Sequence, residues 1–403
     1  MSTSILYHGF GIHGYRYKRS FFQEGAIVFS IEKDPTSLRC PSCKGCQVSR
    51  RGEVLRWFHT LPIGRKQIYI ALHIPRVQCH FCGIVRQIKL GFADPRRTYT
   101  KSFERYVLEL SRHMTIKDVA RHLGVSWDVV KDIQRRYLSR HYSHPKLKDL
   151  ELIAIDEISI GRGHRYLTVV LDLLSGTVVF VGDGKGADAL LPFWKRLKSS
   201  QAKVAAVAMD MSPSYISAVS THLPAATIVF DHFHIVKMFN DKLSELRRDL
   251  QREAAKADQE VLKGTRWLLL KNPKNLNENR NERQRLAAAL ELNKPLATAY
   301  YLKEDLRQLW LQKDKESASS FLDDWIARAR SSDIKMLKTF SKTLERHRDG
   351  ILAYYDYPIS TGPLEGTNNK IKTLQKQAYG FRDMAFFKLK IYALHETKYA
   401  LVG

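Results

Sequence analysis

ELIAIDEIS (residues 151–159) and KVAAVAMDM (203–211) decide the fold, because each is a short apolar run that closes on an acid, Asp156 in one and Asp210 in the other. Apolar runs of this length read as buried strands. A carboxylate at a strand end faces the crevice where open α/β sheets bind ligands, and two on neighbouring strands repel unless a cation or a proton lies between them. A third acid, Glu365, stands far downstream in TGPLEGTNNKIK (361–372). Hard, oxygen-seeking Mg²⁺ takes carboxylates and substrate phosphates, and a metal pair about 3.5–4 Å apart can activate a nucleophile and stabilise a leaving oxygen. The trio therefore points to two divalent metals, Mg²⁺ or Mn²⁺, held against a phosphodiester. A lone strand-end Asp is more often a turn or cap residue, so the reading rests on the ordered set.

Around these acids the pattern reads LIAID, RYLTVVLDLLSG, TVVFVGDG, a helix near ADALLPFWKRLKSS, then KVAAVAMD, a helix near PSYISAVSTHL, and TIVFDHF. That is βββαβαβ, the order expected of an RNase H-like core. Asp172 reads as a turn partner of LLSG and Asp183 in GDGKG as a turn residue, and GDGKG lacks the spacing of a phosphate loop. From residue 240 to 349 the sequence is almost wholly helical and charged, a domain-sized insertion before Glu365. Within it Trp267 reads as a packed core residue, with stacking on a displaced base as the alternative.

The chain carries 66 Lys+Arg against 41 Asp+Glu, a formal net charge of +25. A polyanion is the natural partner, since cations that neutralise phosphates release condensed counterions. The charge is spread along the chain rather than gathered on one amphipathic helix, which argues against a membrane-surface protein. No stretch is long and uncharged enough to span a bilayer and no signal peptide pattern opens the chain, so a soluble cytoplasmic protein without membrane partners is expected.

Cys40-Pro-Ser-Cys43 and Cys79-His-Phe-Cys82 form a CxxC…CxxC arrangement that suits a tetrahedral structural Zn²⁺ site. EVLRWFHTLPIG and KQIYIALHIPRVQC between them read as strands that return the second knuckle to the first, as in a zinc ribbon. Cys46 offers a third thiol in CPSCKGC that could substitute as a ligand. Next, SFERYVLELSRH places Phe103, Tyr106, Val107 and Leu110 on one helical face. In TIKDVARHLGVSWDVVKDIQRRYL, Ile116, Val119, Ala120 and Leu123 form a second apolar face, Gly124 permits a turn, and Ser126 caps a helix packed through Val129, Val130 and Ile133. Its outward Trp127, Lys131, Arg135 and Arg136 suit a recognition helix of a helix-turn-helix, with an ordinary helical hairpin as the bland alternative.

Read together, IDE (155–157), MDMSPSY (209–215), FDHFHIVK (230–237), GPLEGTNNKIK (362–372) and YGFRD (379–383) resemble the bacterial insertion-sequence transposases of the ISL3 family, over nearly the whole chain. The resemblance implies a multidomain α+β protein. Its expected parts are an N-terminal segment and zinc ribbon (1–95), a helix-turn-helix domain (96–148), and an RNase H-like α/β core (149–239 and 350–403) interrupted by an all-helical insertion (240–349). It gives Asp156, Asp210 and Glu365 the DDE roles as magnesium ligands, with Asp156 bridging and the other two each completing one metal shell. Asp231 and His234 match a D-x-x-H motif and take supporting roles, His234 orienting a phosphate or a carboxylate unless it is structural. Lys370, Lys372 and Lys376 spread over one side of a helix where they could hold DNA backbone, or form a solvated face. The implied activity is binding of an element's terminal inverted repeats, cleavage that frees a 3′-OH, and attack of that hydroxyl on target DNA. A homodimer or larger assembly on paired ends is implied, associated with the bacterial nucleoid through double-stranded DNA. A transposase-derived repressor that binds without cutting is the alternative, and a nuclease that cuts without joining a further one.

Overall fold

The computed structural model describes residues 4–161 and 163–395. The chain is mixed α/β and forms two compact units, residues 1–144 with 373–403, and residues 145–372. Each unit holds one five-stranded sheet.

In the first unit the strands are β1 (Tyr15–Gln23), β2 (Ala26–Lys33), β3 (Val48–Ile63), β4 (Lys66–Cys79) and β5 (Val85–Gln87), ordered β1-β2-β4-β3 with β5 also on β4. β3 and β4 are the expected antiparallel hairpin, and their register sets Val48 opposite Cys79 so that the second CxxC returns to the first. The hairpin of β1 and β2 was not legible in the sequence. β1 is exposed along nearly its whole length and so lacks the period-two alternation that marks a half-buried strand. Phe58, Ile68, Ile70 and Leu72 are fully buried in one core cluster against this sheet.

Three helices follow, Lys101–Leu110, Ile116–Leu123 and Trp127–Tyr142, each started by a side-chain cap: Thr100 accepts from the Phe103 amide, Thr115 from Asp118, Ser126 from Val129. Gly124 ends the second at φ +64, and a Cβ there would lie 1.8 Å from the Gln67 amide nitrogen, so glycine answers both the turn and the close approach. The helix Met384–Tyr392 joins this unit, with Phe386 in one apolar cluster with Phe103, Val119, Val130 and Ile133.

The second unit carries β6 (Leu152–Gly161), β7 (Arg165–Asp172), β8 (Val178–Asp183), β9 (Ala206–Met209) and β10 (Thr227–Phe230), in spatial order β10-β9-β6-β7-β8. β6, β7 and β8 are antiparallel neighbours, whereas β9 and β10 run parallel to β6, with the helices Leu191–Ser200 and Pro213–His222 in the crossovers. Ile153 and Ile155 point into a large core with Phe193, Met209 and Phe239, while Leu152 packs on the other face with Val229 and Ala353. Burial on both faces explains why these strands read as continuous apolar runs.

The helix His232–Glu253 passes without a break through position 240, and the helices that follow share the sheet's core. Trp325 is fully buried there, its indole donating to Leu302 O at 2.8 Å and its ring 6.0 Å from both Phe239 and Phe340. Trp267 overturns the core expectation, being 64% exposed. Its helix, Arg266–Leu270, is too short to bury more than Leu268 and Leu269, and the Arg266 guanidinium lies 4.8 Å over the outward ring.

Candidate active site and nucleic-acid interface

β6 pairs with β9 from Leu152↔Ala206 to Ala154↔Ala208, and β9 with β10 from Ala206↔Thr227 to Met209↔Phe230. Carried one or two residues further, the same register sets Asp156, Asp210 and Asp231 level with one another, just where β9 and β10 end. β6 does not close on its acid as the apolar run suggested: it continues to Gly161, because it stays paired with β7 beyond Asp156. The Asp231 amide still donates to Met209 O at 3.1 Å. Burial pushes the Asp156 carboxyl up to about 6. The Glu157 amide and the charge of His234 pull it down, and the charges of Asp210 and Glu157 push it further up. Asp210 Oδ1 accepts from the Ser212 amide at 3.0 Å, which turns the chain into the helix Pro213–His222.

Asp231 is 2% exposed and caps the helix His232–Glu253. Burial is the largest influence on it and opposes its charge, but hydrogen bonds with His234 and Thr361 outweigh burial and hold its pKa below the ordinary value. His234 Nδ1 lies 3.2 Å from Asp231 Oδ2. That bond, reinforced by the charges of Asp156 and Asp210, raises the His234 pKa against its burial. The imidazole is thus a cation-favouring group facing the first two acids.

Glu365 is exposed in the first turn of the helix Gly362–Gln377. Among the described residues the three carboxylates do not form a cluster with all ligand atoms within 4.8 Å of one another. What ties this helix to the strands is Asn368, one turn beyond Glu365 on the same face, whose Nδ2 donates to Asp156 Oδ2 at 2.8 Å. Asn368 is buried and its Oδ1 has no partner, an acceptor left beside an acid cluster. Such an orphan beside Asp156 and Asp210 fits a divalent cation, which would satisfy the oxygen and offset the repulsion between the two acids. Sequence reading missed Asn368 and Thr361, although both lie in the quoted TGPLEGTNNKIK. It also missed the opposite face of β6, where Tyr215 OH meets Thr168 Oγ1 at 3.0 Å and Glu157 Oε2 at 3.5 Å. Asp172 is the turn partner expected, accepting from the Leu174 and Ser175 amides.

Cys40, Cys43, Cys79 and Cys82 converge in the first unit with all four sulfurs within 4.8 Å. Cys40 and Cys82 Sγ are 3.6 Å apart, Cys43 and Cys79 Sγ 3.5 Å. Four thiolates at ~2.3 Å from a tetrahedral Zn²⁺ stand about 3.8 Å from one another, so the cluster fits zinc. Backbone amides of Cys43 and Ser42 aim at Cys40 and pull its thiol down to about 6, whereas Cys43, crowded by the other thiols against the pull of the Gly45 amide, is pushed up to about 12. A shared proton set of this kind is what a metal would displace. Cys46 is exposed and outside the cluster, whose four sulfurs all come from the two CxxC pairs.

Residues 153–391 match the family model for the ISL3 transposase DDE domain, and residues 88–138 the helix-turn-helix domain of transposase family ISL3. The chain belongs to the ISL3 family of transposases. It is 31% identical to the transposase for insertion sequence element IS1001 of Bordetella parapertussis, over 95% of this chain and 96% of that one. It is 29% identical to the transposase for IS1557 of Mycobacterium tuberculosis, over 89% and 86%. The Drosophila P element transposase strand transfer complex aligns with 75% of this chain and 93% of its own at 11% identity, with a TM-score of 0.39.

In the ISL3-family helix-turn-helix the cations expected to face DNA are largely engaged within the unit. Lys131 lies 3.0 Å from Asp383, which also pairs with Arg135. Arg136 reaches Tyr99 OH at 2.8 Å, Glu104 at 3.1 Å and Asp132 at 3.2 Å. Trp127, at the first position of the helix Trp127–Tyr142, is exposed, as are Lys117, Arg121 and His122 before it. The free surface is therefore the helix N-terminus, the end that meets base edges in helix-turn-helix complexes. Lys370, Lys372 and Lys376 are exposed along the helix Gly362–Gln377. Among the described residues no helix is long and apolar enough to cross a membrane.

Proposed function

We propose that this chain binds the terminal inverted repeats of an insertion sequence and catalyses metal-dependent cleavage and strand transfer through Asp156, Asp210 and Glu365. The observation that carries this reading is the level placement of Asp156 and Asp210 on adjacent parallel strands, with Asp156 hydrogen-bonded to the helix that bears Glu365. The strand order β10-β9-β6-β7-β8 supports an RNase H-like core interrupted by a helical insertion, preceded by a zinc ribbon and a helix-turn-helix. Mg²⁺ or Mn²⁺ bound there would supply Lewis-acid activation of the attacking oxygen and stabilisation of the leaving one.

The chain's own groups prepare that site. Asp156, Asp210 and Glu365 would hold the cations, and Asn368 fixes Asp156 Oδ2 and would offer its Oδ1. Asp231 anchors His234, and that hydrogen bond, together with the charges of the nearby acids, favours the protonated imidazole, which would suit it to orient a scissile phosphate. Exposed Lys370, Lys372 and Lys376 would hold DNA backbone, with base contacts from the start of the Trp127–Tyr142 helix. The working unit on paired ends would be a dimer or larger. The test is nicking of DNA carrying the ends of the protein's own element, with Mg²⁺. Asp156→Ala, Asp210→Ala and Glu365→Ala should each bind the end and fail to nick it. A variant that still nicks removes its residue from the set, and a wild type that binds without cutting favours a repressor.

A further inference from the structure

The helix Gly362–Gln377 ends with the Gly380 amide donating to Gln375 O at 2.9 Å and the Tyr379 amide to Lys376 O at 3.1 Å. This closure places one residue in the left-handed region, where glycine is the usual choice because it has no Cβ to clash. Here that residue is Tyr379, at φ +52, although Gly380 follows it at φ +96. An aromatic residue in this conformation is strained, and such strain persists where something else requires the side chain. Packing does not require it, since Tyr379 is 101% exposed.

Tyr379 borders a cleft of about 670 Å³ in the first unit, with Trp127, Lys117, Lys131, Phe381 and Arg382 among its walls. Lys131 is engaged by Asp383, while Lys117 and Arg382 are exposed. Two exposed rings flanked by two available cations match the way proteins hold unpaired nucleotides, stacking bases on aromatics and pairing phosphates with Lys and Arg. Duplex backbone alone needs the cations and has no use for a strained ring.

We infer that this cleft is a binding site for unpaired nucleotides, with Tyr379 as the base-stacking residue. The inference rests on the DNA-binding reading above and adds a strand-separated part of the DNA to its substrate. Tyr379→Gly separates the ring's role from the fold, because glycine relieves the strained turn while deleting the ring. In the full-length protein this variant should melt no lower than the wild type and bind labelled oligothymidylate about tenfold more weakly, the scale of one lost base stack. Its affinity for a duplex of equal length should change less than about twofold on the same grounds, and Tyr379→Phe should bind as the wild type does. If Tyr379→Gly keeps its single-strand affinity, or loses both affinities equally, or if Tyr379→Phe is as weak as Tyr379→Gly, the stacking role is overturned. A wild type that binds neither DNA would instead refute the DNA-binding reading itself.

Discussion

Replacing Asp383 should weaken the fold and strengthen DNA binding together. Its carboxylate caps the helix Met384–Tyr392 through the Phe386 amide at 3.0 Å and pairs with Lys131 and Arg135. Burial is the largest influence on this group and opposes ionisation, yet the Phe386 amide, Lys131 and Arg135 outweigh it and hold its pKa at about 2. A drop of nearly two pKa units corresponds to about 2.5 kcal/mol before screening. Because the Asp383 and Arg135 side chains are 28% and 38% exposed, about 1 kcal/mol is the realistic share. Asp383→Asn keeps a good cap and should lose that amount. Asp383→Ala also loses the cap, worth about 1 kcal/mol more. For a unit of this size these losses correspond to melting temperatures lower by roughly 2–4 °C and 4–8 °C.

The sign with pH follows from the depressed pKa. The stabilisation is complete above the unfolded value near 4 and disappears as pH falls through about 2, so wild type and Asp383→Asn should differ at pH 7 and converge in acid. Releasing Lys131 and Arg135 adds up to two phosphate contacts, so the logarithmic salt dependence of DNA binding should steepen by as much as about 1.8. Thermal melts across pH and fluorescence anisotropy across salt measure both effects. An Asp383→Asn protein that melts with the wild type at pH 7 and keeps the wild-type salt slope would refute the reasoning.

Elemental analysis should find one zinc per chain, and Cys79→Ser should lose it and lower the melting temperature of the β3–β4 region, because site formation and folding are linked. Asn368→Ala should raise the Mg²⁺ concentration needed for half-maximal cleavage by roughly tenfold, in line with loss of one charge-assisted hydrogen bond of about 1.5 kcal/mol; Mn²⁺ binding to the DNA-free protein, followed by calorimetry, should weaken in parallel. Gly350→Ala should destabilise the second unit by about 1–3 kcal/mol, since its Cβ would lie 2.5 Å from the Phe230 ring beside the strand end that carries Asp231. Urea denaturation checks the last of these.

The sequence made legible what depends on local pattern. The doubly buried strands that carry Asp156 and lead into Asp210, the Gly124 and Ser126 signals of the helix-turn-helix, and the paired CxxC knuckles all follow from residue type and spacing, whereas the continuation of β6 past Asp156 depends on its pairing with β7. Features that depend on tertiary partners stayed hidden. Asn368 gives no pattern of its own, and only the fold brings it to Asp156. Lys131, Arg135 and Arg136 look outward on a helical wheel, but Asp383 is 248 residues from Arg135 in sequence and Glu104 lies on another helix. Trp267 reads as core by hydropathy, yet a single-turn helix cannot bury every large residue it carries.

Strand transfer with a divalent metal is assigned to Asp156 within β6, Asp210 just after β9 and Glu365 on the Gly362–Gln377 helix. A pre-cleaved element end bearing a 3′-OH, incubated with target plasmid and Mg²⁺, tests it most directly. The expected result is a joined product that disappears with EDTA and with each of Asp156→Ala, Asp210→Ala and Glu365→Ala, all of which still bind the end. Joining that survives loss of Asp156, or that proceeds in EDTA, would contradict it.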